Sequence, residues 1–388
     1  MATGRTSDRG AALLVVIVST ALLTALAVDL AYATRVSLLA AGNARDELKA
    51  EALARGAVQL SRLVLRLQKQ LDDATPAAGA SLRVQLWSAV PVSGGLAAAI
   101  FRDAAGSDGT AGTFEARIDD EGRKVNAQLD ALAQGGLLGA QVESFGQLVG
   151  DPRWDPIFDR EDATGQRWTR ADVAIHLHDW TDDDSAGSAL SANPDRPFEN
   201  GFGDENQPYA RGRDPYKVKN ARFDSLDELF LVAGIDDAFM EAFGGQLTVY
   251  PHRDGRINVN TPDPAELLRN ARVMADAPQH PRLADPAFAR DLAKGVAEAR
   301  LAGLLAIRPA QFAQLVQSLG VPVKPLYLQD GSAEQRGAFT DRSLVYRIRA
   351  TGVAGAVERR VDAVVTFDPR QVGTEPADLG RPLHWREE

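Results

Sequence analysis

No cysteine occurs among the 388 residues, which excludes a disulfide framework and any thiolate metal site. That absence fixes no compartment, since many exported proteins manage without disulfides. Five scattered histidines are too few for a zinc cluster. Basic residues are in deficit, 43 Lys and Arg against 53 Asp and Glu, for a net charge of −10. A general nucleic-acid partner is disfavoured, because neutralising phosphates takes Lys and Arg. Gly-x-Ser-x-Gly, His-Glu-x-x-His and a phosphate loop are all missing, so a tethered hydrolase has no support. His176 and His178 beside Asp179 invite a catalytic reading, but strand alternation or support of an acidic loop explains them better. The chain reads as a non-enzymatic assembly component. Its length allows two or three domains, and 45% hydrophobic residues is ordinary for a globular chain.

One long apolar run is present, Ala11 to Val28, with Ser19, Thr20 and Thr24 as its polar breaks. A polar leader, Met1 to Gly10, carries Arg5 and Arg9. About 20 such residues span a bilayer core as a helix, with the basic leader cytoplasmic and the rest outside. Three interpretations compete. A secretory signal would end at a small-x-small site such as Ala25-Leu26-Ala27. A plain anchor would stay uncleaved. A prepilin-like leader would be cut between Gly10 and Ala11, which keeps the anchor. Continuity favours the third. From Arg35 to Leu71 there is no proline, and Gly42 and Gly56 are the only glycines. Leu53, Ala57, Leu60, Val64, Leu67 and Leu71 recur at alternating steps of four and three, a helical stripe. The spacing predicts one rod of roughly 60 residues, about 90 Å long, half in the membrane and half packed on a head.

Beyond the rod, Leu82–Val92 and Thr113–Ile118 read as strands, and Asp172–Trp180 alternates. Thr181–Asn220 is dense in Asp, Gly, Asn and Pro, so it is either disordered or organised by something bound. Ser225-Leu226-Asp227-Glu228 forms a capping box. A faint repeat follows: Glu121–Gln128 is echoed by Asp254–Asn260, each an acid-Gly turn feeding a short strand that ends in Asn. Thr261 is placed to cap a helix containing Glu266. Two more helices fall near 286–301 and 308–319. A hairpin, 345–350 with 357–367, is separated by Gly352 and Gly355. The tail after Asp368 reads as loose. Strands at both ends of a helical middle predict one sheet with a large insertion. Asp179, Asp182, Asp183, Asp184, Glu199, Asp204, Glu205 and Asp214 crowd one loop. Hard oxygen ligands with Gly suit Ca2+, although the spacing is not an EF-hand. A merely solvated acidic loop is the alternative.

Taken together, the chain resembles the minor pseudopilin K family of bacterial type II secretion (general secretion pathway protein K). The matching stretches are Arg9-Gly10-Ala11-Ala12-Leu13-Leu14-Val15, Asp179-Trp180-Thr181-Asp182, and Gly203-Asp204-Glu205 with Tyr209. Further matches are Phe223 to Leu229, Val232 to Ile235, and Ile257 to Thr261. The resemblance implies an α+β fold: a pilin-like N-terminal helix on an antiparallel sheet, with a large α-helical insertion of SAM-like or helix-hairpin-helix-like lobes. It divides the chain into a prepilin leader (1–10), the transmembrane half of the helix (11–34), and the stalk with the first strands (35–126). A first lobe with the acidic loop (127–245), a second lobe (246–330), terminal strands (331–368) and a tail (369–388) follow. Two departures stand out: Ala11 where Phe is usual, and Gln128 where the second repeat has Asn260.

The same resemblance implies a place at the pseudopilus tip, in the inner membrane with the bulk periplasmic. It implies minor pseudopilins of the I and J types as partners, a prepilin peptidase acting at Gly10 and Ala11, and secreted proteins as possible contacts. Most pilins carry Glu at the fifth mature position, which here is Val15. A charge in hydrocarbon needs a partner, so a subunit without it needs none above. Calcium in the acidic loop is also implied, with Asp179, Asp182, Asp184, Asp204 and Glu205 as the expected ligands. The stripe Leu53, Ala57, Leu60, Val64 and Leu67 is the expected partner surface. A membrane-tethered DNA-binding protein is the alternative, because Leu229–Ile235 resembles half of a helix-hairpin-helix. Asp236 and Asp237, which follow it, would repel phosphate.

Overall fold

The computed structural model describes residues 7–74, 83–94, 112–129, 136–162, 164–211, 214–250, 256–301, 303–329, 339–368 and 378–388. Helix α1, Ser7–Ala74, is unbroken over 68 residues, about 100 Å at helical rise. From Gly10 to Ala41 its described side chains are exposed. Among the described residues none packs on its apolar stretch, which is long and apolar enough to cross a membrane.

The second half of α1 lies on an antiparallel sheet. Its strands are β2 (Val92–Ser93), β3 (Thr113–Asp120), β11 (Val345–Ala354), β12 (Val357–Thr366) and β13 (Arg381–Glu387), in the order β13-β12-β11-β3-β2. Alternation sets the faces. Tyr346, Ile348 and Ala350 of β11 and Val361, Ala363 and Val365 of β12 pack on Ala54, Ala57, Val58 and Leu65 of α1. The approach is so close that a Cβ at Gly352 would lie 2.1 Å from the Ala50 carbonyl oxygen and 2.6 Å from the Ala54 nitrogen. Gly352 therefore sits inside β11 rather than in the hairpin turn. Gly355, at φ +60°, makes that turn.

Three other expectations are corrected. Leu82–Val92 is not one strand: β1 (Arg83–Val84) and β2 flank a short helix, Leu86–Ala89. Gln68 dictates the break, since its side chain takes the Leu86 N–H and donates to the Val84 carbonyl. The tail is not loose where described, because β13 pairs along β12 from Val361 to Thr366. The stalk stripe is not a free surface. Ala57 lies in the helix–sheet core, and Leu60 and Val64 pack with Val92, while Leu67 and Leu71 stay exposed. The buried register runs through Ala50, Ala54, Ala57, Val58, Ser61, Leu65 and Gln68. Small residues there let the helix sink onto the sheet.

Between β3 and β11 the chain builds two lobes, each on its own apolar cluster. The first opens with β4 (Val125–Asn126), which pairs in parallel with β7 (Leu247–Thr248). It contains α2 (Gly136–Val149), α3 (Arg170–Asp179), the hairpin of β5 (Ala186–Leu190) and β6 (Phe198–Asp204), and α4 (Asp237–Phe243). The second opens with β8 (Ile257–Asn258), which pairs in parallel with β10 (Phe339–Thr340). It contains α5 (Pro264–Met274), α6 (Pro286–Ala299), β9 (Leu305–Ala306) and α7 (Pro309–Ser318). The helix expected near 286–301 is α6, and the one near 308–319 is α7. Strand β9 pairs with β1, which ties the second lobe to the head.

Both lobes hang from one turn after β3. Asp120 accepts from the Asn258 side chain of the second lobe at 2.8 Å. Glu121, fully buried, takes Lys124 at 2.8 Å and Arg347 of β11 at 2.6 Å. The repeat half Asp254-Gly255 lies outside the described residues.

Candidate functional site

Asp172–Trp180 is helix α3, not a strand. Thr169 and Asp172 close a capping box at its start, and Val173, Ala174 and Leu177 point into the lobe's core. His176 and His178 have structural roles. His176 is buried, contacts the Ala233 carbonyl at 2.9 Å, and burial lowers its pKa. His178 bonds the Leu129 carbonyl at 2.6 Å and stacks on Phe198 at 3.9 Å.

Beyond α3 the described part of the acidic segment, 181–211 and 214–220, has a defined path. It wraps an aromatic nest in which Trp180 stacks parallel to Phe223, with Tyr209 and Tyr216 edge-on. The turn after α3 carries Asp182 and Asp184, and the end of β6 returns Glu205 to them. One oxygen from each of the three lies within 4.8 Å of the others. Calcium–oxygen bonds run about 2.3–2.6 Å, so oxygens that far apart can share one ion. Glu205 is buried, and neither of its oxygens has a well-formed hydrogen bond. Burial raises its pKa, with Asn220 acting against that and Asp179, Asp184 and Asp204 adding to it. A buried carboxylate crowded by like charges is what a hard cation relieves. The donor set fits a divalent ion.

Two of the five expected ligands do not join this group. Asp179 is buried at the end of α3, where its carboxylate accepts the Ser188 N–H and anchors β5. Asp204 is exposed, and its Oδ1 accepts the Asn206 N–H at 2.9 Å and the Asn206 side chain at 2.8 Å, which lowers its pKa. Asp184 also accepts a backbone N–H, from Ala186 at 2.7 Å, yet one of its oxygens stays within reach of Asp182 and Glu205. Asn220, not singled out from the sequence, closes the loop by donating to the Asp184 carbonyl. It stands at φ +48°, a conformation Asn tolerates better than most residues.

Helix caps elsewhere also shift. Asp263, not Thr261, caps α5 by accepting the Ala265 N–H at 2.8 Å, and Thr261 instead donates to Glu266. Ser225 precedes a 3-10 turn, Leu226–Leu231, without a side-chain cap bond. In Leu229–Ile235, the segment that resembles half of a helix-hairpin-helix, Gly234 stands at φ +88° beside Val173 and Trp168. Asp236 then caps α4 and pairs with Arg160.

At the other end of the molecule, Gly10 and Ala11 lie on the exposed start of α1, and Val15 faces outward with the rest of that stretch.

A membrane-length helix laid on an antiparallel sheet, with two lobes inserted between β3 and β11, defines a pilin-like α+β architecture. Among solved structures, the chain is similar to one in the crystal structure of the GspK–GspI–GspJ complex from the type 2 secretion system of enterotoxigenic Escherichia coli. The match has a TM-score of 0.50 at 15% identity, and covers 90% of this chain and 99% of that one. No family model matches the sequence, and no curated protein does. The resemblance to a type II minor pseudopilin K-like protein therefore holds at the level of the fold.

Proposed function

We propose that this chain is a minor pseudopilin that begins or caps a type II secretion pseudopilus and helps export folded proteins. The observation that carries this reading is α1, exposed and apolar over its first half and continuous with the stalk that seats the head. The fold shared with a chain of the GspK–GspI–GspJ complex supports it. The leader is cut between Gly10 and Ala11, leaving the anchor in the inner membrane and the head in the periplasm. Val15 at the fifth mature position leaves no carboxylate needing a subunit above, and two bulky lobes suit the end of a filament. Minor pseudopilins of the I and J types bind beneath it, one copy of this chain per complex. Asp182, Asp184 and Glu205 hold Ca2+, which when bound neutralises the crowded carboxylates and pins the loop. No catalytic role is assigned.

Purified heads starting near residue 40 should co-elute with small pseudopilins, and light scattering should give one copy of each. A homopolymer of this chain, or several copies per complex, would refute the tip reading. Ala57, Leu60 and Val64 belong to the head's own core, so charged residues there would unfold it and report nothing about partners.

A further inference from the structure

Phe202 is the most exposed large apolar side chain among the described residues, at 107% of its reference area. Five other phenylalanines of its lobe, Phe145, Phe158, Phe223, Phe239 and Phe243, are buried. Local structure puts Phe202 outside. Strands β5 and β6 pair Ala186 with Asp204 and Ser188 with Asn200, so Gly187 alone faces Gly201, Phe202 and Gly203. Such a bulge re-aims the side chain at its centre. Both flanking glycines are required. A Cβ at Gly201 would lie 2.7 Å from the Gly187 and Ser188 carbonyl oxygens, and Gly203 stands at φ +121°. Asp179 fixes the base of the bulge through the Ser188 N–H.

The lobe's charge narrows what can meet this side chain. Residues 127–250 contain 23 acidic and ten basic residues, leaving 30 against 33 in the rest of the chain. An anionic lipid surface is repelled by such a lobe, and so is a second copy of it. We propose that Phe202 is the anchor of a docking surface for a folded protein that presents an apolar socket rimmed by Lys and Arg. The aromatic ring supplies buried area at the centre, and the acidic surround steers approach and sets orientation. Phe202 lies three residues before Glu205, and Gly187, which faces it, lies three residues after Asp184.

The test places the photo-cross-linking amino acid p-benzoylphenylalanine at 202 in the full-length chain, in cells, with Asp195 as a control position. The expected result is one discrete protein adduct from 202 and none from 195. The cross-linked residue should map to an apolar cleft flanked by Lys or Arg, and the yield should fall in 0.5 M salt. Co-expressed unmodified chain should suppress the adduct, whereas Phe202→Ser should compete about ten-fold less well with an unchanged melting curve. No adduct, a lipid adduct, an adduct with a second copy, or equal competition by Phe202→Ser would each overturn the proposal.

Discussion

The two inserted lobes share a frame and differ in what is hung on it. Asn126 and Asn258 each accept the N–H two residues on, from Gln128 and Asn260, both at 3.0 Å. Gln128 then takes the N–H and the carbonyl of one distant residue, Phe223, at 3.2 and 3.0 Å. Asn260 does the same to Ile307, at 2.8 and 3.0 Å. The Gln-for-Asn difference between the repeats thus preserves one device, an amide clasp that pairs a backbone segment as a strand would. The first lobe alone inserts the acidic excursion between its clasp and its clasped residue. Its neighbour spans the same interval with a shorter stretch, α5, α6 and β9, whose charge is balanced. The frame is duplicated, and the chemistry belongs to one copy.

The comparison can be broken most severely at the shared turn. Glu121→Ala leaves Lys124 buried without its carboxylate and Arg347 with Asp362 alone, which should cost about 3–5 kcal/mol in urea unfolding. A loss under about 1 kcal/mol would mean that the turn does not hold the first lobe to the sheet. The clasps come next. Gln128→Ala and Asn260→Ala each strand a buried N–H and carbonyl, at about 3 kcal/mol apiece. Hydrogen exchange should quicken within 125–250 for the first and within 257–329 for the second. Equal loosening of both lobes by either substitution would show one cooperative unit instead of two.

Calcium should sharpen the difference, stabilising the first lobe by about 2.7 kcal/mol at a hundredfold excess over Kd. Asp182→Ala and Glu205→Gln should abolish that gain, and Asp204→Ala should keep it. A melting curve indifferent to chelator would leave the loop merely solvated. The smallest effect is a pH split. Burial pushes Asp120 up to about 6 despite hydrogen bonds from the Asn258 side chain and the Gly122 N–H. The folded state therefore binds the proton more tightly than the unfolded chain. Asp120's contribution is full below about pH 4 and lost as pH rises to about 6, at about 1 kcal/mol per pH unit. Burial would also raise Glu121, but Lys124 and Arg347 outweigh it and hold it at about 2. Its contribution is present above about 4.5 and lost as pH falls toward 2. Asp120→Asn should flatten the upper window alone, and a slope unchanged between pH 4 and 6 would assign it elsewhere.

Much of this was legible in the sequence, and the exceptions share a cause. The rod, the 345–367 hairpin, α6, α7 and the repeat all announce themselves by period, because local geometry repeats along the chain. Helix α3 was missed because four alternating residues near His176 and His178 obscured Thr169 and Asp172, whose capping box signals its start. The stalk stripe was offset because α1 buries alanines, which a search for large apolar residues passes over. Among the acids, composition located the loop. It could not say which carboxylates converge, since Glu205 meets Asp182 and Asp184 only once β6 has returned alongside β5, and the same pairing turns Asp179 to the Ser188 N–H.

The contact between α1 and β11 at Gly352 has a mechanical meaning. Where long side chains separate a helix from a sheet, a pull on the helix is first taken up by rotamers that swing and yield. At this one point main chain bears on main chain, Ala50 and Ala54 against Gly352, while side chains fill the rest of the contact. A pull on the rod is therefore taken up first at this bearing. Gly352→Ala would insert a wedge at that bearing, and displacement of the anchor would no longer be displacement of the lobes.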